Sequence, residues 1–203
     1  MGKHYFITGI GTGIGKTLIS AILTEKLKAD YWKPVQSGDL DNSDTLKVKA
    51  LISNPVTVFH EETYRLTQPY SPHKSAKLDS IEIDSARFVV PSTKNTLIIE
   101  GAGGLMVPLN ERYLIIDLVK QLNVEVILVS QNYLGSINHT LLSAQVLKQY
   151  EIPVAGIIFN GDEDVSTQNY ILHYTGFKLL GSIPQLNKLD KAVVIEAGKQ
   201  LTL

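Results

Sequence analysis

The stretch Thr8-Gly9-Ile10-Gly11-Thr12-Gly13-Ile14-Gly15-Lys16-Thr17 constrains this chain more than any other. Four glycines fall within seven residues and are followed at once by a lysine and a threonine. The apolar run Tyr5, Phe6, Ile7 precedes them and reads as a buried strand. Behind them Leu18, Ile19, Ile22, Leu23 and Leu27 recur at helical spacing. Strand, glycine loop and helix in that order are the context of a phosphate-binding P-loop. Glycines reach positive φ without steric cost, so successive backbone N–H groups converge on phosphate oxygens at the positive end of the following helix. Lys16 then neutralises the terminal phosphates and the Thr17 hydroxyl serves a Mg²⁺ ion. The loop is one residue longer than the usual Gly-x4-Gly-Lys-Thr, because position 10 is Ile10 and the first glycine is Gly9.

Composition narrows what such a loop can belong to. The 203 residues suit one domain with a sizeable core, read here as residues 1–203. A net charge of −1 with no basic run favours neither a nucleic-acid nor a membrane partner. The absence of cysteine removes disulfides and thiolate catalysis and fits a reducing, cytoplasmic location. The N-terminus runs straight into the first strand, which leaves no signal peptide, and no apolar run is long enough to span a membrane. The five histidines show no metal-ligand spacing and no nucleophile elbow occurs, so the chemistry falls to phosphate and Mg²⁺.

Further along, the first helix is expected to end near Ala29 and Asp30, and Tyr31-Trp32-Lys33 starts a second strand that Pro34 interrupts. A lysine at a strand end either points into the crevice where open α/β sheets bind ligands or is a solvated strand-end side chain. In the loop after Gly38, Asp39, Asp41 and Asp44 gather; one of them serves the Mg²⁺, or Asp44 simply caps a helix that begins at Thr45. Residues 53–77, with Pro55, Pro69 and Pro72, read as an irregular crossing, and residues 81–90 as a helix. Residues 96–100 form a buried strand that ends in Glu100 and runs into Gly101-Ala102-Gly103-Gly104, delivering a carboxylate beside the P-loop. Strands are expected at 124–130, 154–159 and 179–183, and helices at 46–51, at 117–122 and in a long amphipathic run that opens with Gly135. The start of that last helix is a possible anion site, with free N–H groups and no acid nearby in sequence. Strands alternating with helices predict an α/β fold, a mostly parallel sheet with helices on both faces.

These motifs together resemble the dethiobiotin synthetase family, whose fold is that of the P-loop nucleoside triphosphate hydrolases. The resemblance rests on the elongated P-loop, on Lys33-Pro34-Val35-Gln36-Ser37-Gly38 and on Asn42-Ser43-Asp44. It continues in Ser71-Pro72-His73, Glu100-Gly101-Ala102-Gly103-Gly104-Leu105, Gly135-Ser136-Ile137-Asn138-His139, Ala155-Gly156-Ile157 with Asn160, and Gly181-Ser182-Ile183-Pro184. The blocks keep their order over nearly the whole chain. The family joins CO2 to 7,8-diaminononanoate and closes a cyclic urea at the expense of ATP, in biotin biosynthesis. The resemblance implies catalytic roles for Lys33, Lys16 and Thr12, and Mg²⁺ held by Thr17, Asp44 and Glu100, with Asp39 or Asp41 as substitutes for Asp44. It implies an ATP site made by Gly13, Ile14, Gly15, Lys16, Thr17, Leu18, Asp44, Glu100, Gly101, Ala102 and Gly103. Asn160, Pro184, Gln185 and Leu186 would face the adenine. Ser37 would position the carbamate, and Gly135, Ser136, Ile137 and Asn138 would hold the substrate carboxylate across a homodimer interface.

Two other readings share the fold. A partitioning-type ATPase switch usually carries an extra lysine early in the P-loop, where this chain has Gly11-Thr12-Gly13. A related amidoligase acting on a larger carboxylate would need a glutaminase partner domain with a nucleophilic cysteine, and this chain has none.

Overall fold

The computed structural model describes residues 2–203. Seven strands form one sheet in the order β4-β2-β6-β1-β7-β8-β9, and every pairing in it is parallel. The strands are β1 (His4–Gly9), β2 (Asp30–Trp32), β4 (Phe59–His60), β6 (Leu97–Glu100), β7 (Glu125–Gln131), β8 (Val154–Asn160) and β9 (Leu179–Ile183). A second, two-stranded parallel sheet pairs β3 (Val35–Ser37) with β5 (Tyr64–Leu66). The helices are α1 (Lys16–Leu27), α2 (Asp44–Leu51), α3 (Pro72–Leu78), α4 (Ile115–Leu122), α5 (Ser136–Gln149), α6 (Val165–Thr175) and α7 (Lys191–Gly198).

Side-chain alternation divides the core. Phe6, Leu97, Ile99 and Val126 face a layer built with α3, α4 and α5, whereas Tyr5, Ile7, Ile98, Ile127 and Val129 face α1, α2 and α7. Because both faces are covered, the strands read as continuous apolar runs rather than as an alternating pattern. The α/β expectation holds, with helices on both faces of the sheet.

The strand order builds the site. β6 lies between β1 and β2, in register Phe6↔Ile99 on one side and Trp32↔Ile99 on the other. Three adjacent strands therefore deliver the P-loop, Glu100 and Lys33 to one carboxyl edge, which is where open parallel sheets bind ligands.

Several local expectations are corrected. Residues 81–90 form no α-helix, only a 3-10 turn at Ser85–Arg87. The two residues buried there, Ile83 and Phe88, are five apart and cannot share a helical face, and the Asp84 carboxylate accepts from Ala86 N at 2.9 Å instead. Residues 53–77 are not merely irregular: they hold β4, β5 and most of α3, whose first residue is Pro72. Asp44 does not cap α2. Ser43 does, its Oγ accepting from Leu46 N at 3.3 Å, and Asp44 is the first helical residue. α1 ends at Leu27, where Lys28 turns left-handed at φ 49°. The helices α6 and α7 lie where the sequence reading marked no element.

Candidate active site

The P-loop turns on Gly13 and Gly15, at φ 78° and 91°. Gly15 caps α1 and is followed directly by Lys16 and Thr17 in its first turn. The Lys16 ammonium folds back onto the loop and donates to the Gly11 carbonyl at 2.7 Å. Burial, with a further push from the Lys33 charge, lowers its pKa to about 8.

Beyond the loop opens a crevice of about 680 Å³ lined by Thr12, Gly13, Gly15, Lys16, Thr17, Lys33, Ser37, Asp44, Glu100, Ala102 and Gly103. At its floor three charged side chains meet. Lys33, 3% exposed, donates to Asp44 Oδ2 at 2.6 Å, to Glu100 Oε1 at 3.1 Å and to the Gly101 carbonyl at 3.1 Å. Glu100 Oε1 also accepts from the Thr17 hydroxyl at 2.8 Å, and Oε2 accepts from the Tyr31 phenol at 2.8 Å. Burial opposes the Lys33 charge, but Glu100 and Asp44 outweigh it and raise its pKa above the ordinary lysine value. Burial likewise opposes the Asp44 carboxylate, and Lys33 outweighs it, so Asp44 titrates below its usual range.

Gln36 shapes this floor, because its Oε1 accepts from Asp44 N at 3.2 Å and its Nε2 donates to the Gly38 carbonyl at 2.9 Å. The start of α2, and with it the Asp44 carboxylate, is thereby fixed against β3. Asp39 faces outward to Lys47 and Asp41 is exposed, so of the three acids only Asp44 lines the crevice. Ser37 Oγ is buried and unpartnered.

The donor set suits a hard cation. Two carboxylates and a hydroxyl converge where the Lys33 ammonium already stands as a cation, and nucleotide phosphates would supply further oxygens.

Other expected residues lie outside the crevice. Ile14, Leu18 and Gly101 support it from behind: Ile14 is buried, Leu18 packs on the α1 side of the core, and Gly101 supplies the carbonyl for Lys33. Asn160 donates to the Ile14 carbonyl at 3.0 Å and so braces the P-loop. Pro184 and Gln185 are exposed and Leu186 packs against the core layer of α1 and α7. Gly135 and Ile137 line a separate hollow of about 450 Å³. Asp162, Glu163 and Asp164 line the same hollow, so the start of α5 does have acids nearby, brought in by the loop after β8.

The sequence reading also missed residues. Tyr31, Gln36, Tyr70 and Val107 all touch the crevice or its floor.

The family model described as an AAA domain matches residues 3–193. The ATP-dependent dethiobiotin synthetase of Christiangramia forsetii is 52% identical over 98% of this chain and 96% of its own length. That of Cytophaga hutchinsonii is 50% identical over 95% and 93%. Among solved structures, the septum site-determining protein MinD complexed with Mg-ADP from Pyrococcus horikoshii superposes at TM-score 0.59 with 15% identity, covering 97% of this chain and 86% of its own. A ParA family ATPase from Chlorobium tepidum superposes at 0.55 with 14% identity, over 99% and 100%. At such identity the likeness to these two shows the fold alone, which leaves the partitioning-type reading without support. Identity of half or more across nearly the whole length carries the assignment: this chain belongs to the ATP-dependent dethiobiotin synthetase family, and it is a ligase.

Proposed function

We propose that residues 1–203 act as one cytoplasmic synthetase domain, working as a homodimer, that converts 7,8-diaminononanoate, CO2 and MgATP into dethiobiotin, ADP and phosphate. One amine of the diamine takes up CO2 and loses a proton to give a carbamate. A carbamate oxygen attacks the γ-phosphorus as the bond to ADP breaks, giving a carbamic-phosphoric anhydride. The second amine then attacks the carbamoyl carbon, phosphate leaves, a proton is lost and the cyclic urea closes.

Each residue has a matching task. The P-loop amides around Gly13 and Gly15 and the Lys16 ammonium bind the phosphates. Thr12 steadies the transferring phosphoryl group. Lys33 binds the carbamate and offsets the negative charge shared between it and the phosphoryl oxygens. Ser37 Oγ, buried without a partner, is free to bond the carbamate. Thr17, Asp44 and Glu100 would hold Mg²⁺, which neutralises phosphate charge when bound. Gly135, Ser136, Ile137 and Asn138 would take the substrate carboxylate of the neighbouring subunit; that Gly135 and Ile137 line a hollow apart from the crevice of their own chain supports this reading. Asn160, Pro184, Gln185 and Leu186 would flank the adenine. Much of the rate comes from holding two reacting centres together, since no side chain becomes covalently attached. Among the described residues no helix is long and apolar enough to cross a membrane, which is consistent with the proposed location.

The observation that supports this reading most is the second buried ammonium. Nucleotide hydrolysis alone is served by Lys16; Lys33, held by Asp44 and Glu100 at the same crevice, suits a reaction in which a second anion meets the phosphate. Turnover with ¹³C-bicarbonate tests it. The label should appear in the ring carbonyl of a cyclic urea; an unlabelled or linear product would contradict the proposal.

A further inference from the structure

Glu100 is gripped at both carboxylate oxygens from one neighbouring strand. Tyr31 and Lys33 are two residues apart along β2 and its continuation, so their side chains leave on the same side. The Lys33 ammonium reaches Oε1 at 3.1 Å, while the Tyr31 phenol donates to Oε2 at 2.8 Å. The register Tyr31↔Ile98 sets the phenol beneath the end of β6. Tyr31 is fully buried, and its ring lies against Phe59 with centroids 5.8 Å apart, so the hydroxyl has a fixed address.

We propose that Tyr31 is a positioning residue for phosphoryl transfer: by occupying Oε2 it fixes the Glu100 carboxylate so that Oε1 alone is presented to Thr17 and to the metal that accompanies ATP. The terminal torsion of a glutamate is broad and nearly two-fold, so an unrestrained carboxylate can turn either oxygen, or both, toward a cation. A hydrogen bond to one oxygen removes that freedom, which is how outer-shell partners tune metal ligands. Packing alone would be met by phenylalanine here; the hydroxyl is spent on Glu100.

The inference rests on the reading of Glu100 as metal-facing, and the test separates the two. Mn²⁺ binding to the ADP complex, followed by electron paramagnetic resonance, is compared in wild type, Tyr31→Phe, Glu100→Gln and the double variant. Tyr31→Phe should weaken Mn²⁺ binding about tenfold while leaving ADP binding without metal unchanged. In the Glu100→Gln background it should cause no further loss. Should Tyr31→Phe fail to fold, Phe59→Leu keeps the hydroxyl but loosens the ring, and a smaller loss of Mn²⁺ affinity than the tenfold above is expected, absent in the Glu100→Gln background. Unchanged Mn²⁺ affinity in Tyr31→Phe, or an equal loss on both backgrounds, would overturn the role of Tyr31 while leaving Glu100 as a ligand. Unchanged affinity in Glu100→Gln would overturn both.

Discussion

Lys33 Nζ, itself buried, lies 2.6 Å from Asp44 Oδ2 at the floor of the crevice, and Glu100 shares the same ammonium from the other side. One cation thus holds together residues from β6, from the turn after β2 and from the first turn of α2. The pair is worth most through what its loss would leave behind, a buried Glu100 carboxylate without its ammonium and an Asp44 carboxylate with only Lys47, 4.0 Å from Oδ1, beside it.

Lys33→Met should therefore act on stability and catalysis separately. Removing the ammonium should cost about 3–5 kcal/mol of folding stability, read from denaturant unfolding without ligand, and added Mg²⁺ should restore more stability than in wild type. Turnover should fall at least about a hundredfold, with ATP binding within a few-fold of wild type. A variant that binds ATP and turns over normally would make Lys33 purely structural.

Asp44→Asn and the exposed substitutions Asp39→Asn and Asp41→Asn should behave differently. Only Asp44 lines the crevice, so only its amide variant should raise the Mg²⁺ concentration needed for half-maximal turnover, by roughly tenfold or more. A comparable rise in Asp41→Asn would move the metal site into the preceding loop.

The lowered Lys16 pKa predicts a proton exchange. The folded pKa is about 8 against the ordinary lysine value of 10.5, so between those values the unfolded chain holds more protons. This group's contribution therefore makes the free protein more stable as pH rises through that window. Bound phosphate restores the lysine charge, so ATP binding above about pH 8 should take up a proton. Calorimetry in buffers of different ionisation enthalpy would detect it; no uptake in wild type, or an equal uptake in Lys16→Met, would contradict the assignment.

Ser43→Ala removes the cap of α2, which bonds Leu46 N. A loss of about 1 kcal/mol is expected, visible as a lower melting temperature. Because Asp44 N is also held by Gln36, its carboxylate should keep its place and Mg²⁺ dependence should change little.

What the sequence revealed and what it hid divide along one physical line. The P-loop, Lys33 and Glu100 were legible because each sits at the end of a buried apolar strand, and that run is a local signal. Tyr31 was not, since its bond to Glu100 depends on the register of β2 against β6, which no local pattern carries. The β3–β5 pair and the two-residue β4 are too short to show a period. Residues 81–90 are apolar enough for a helix, yet Ile83 and Phe88 are buried singly beneath a turn. The cap of α2 is Ser43, whose backbone is extended and whose Oγ bonds Leu46 N, while the Asp44 carboxylate in the first turn pairs with Lys33, a partner distant enough in sequence to escape a local reading. The acids facing the start of α5 arrive from a loop about 25 residues away in sequence, beyond the reach of any window on the helix itself.

The most direct measurement is phosphate release from ATP with Mg²⁺ and bicarbonate, with and without 7,8-diaminononanoate. The account predicts release that depends on the diamine, one phosphate for each cyclic urea formed, and lost in Lys33→Met. Release that is indifferent to the diamine, or that continues without product, would contradict it.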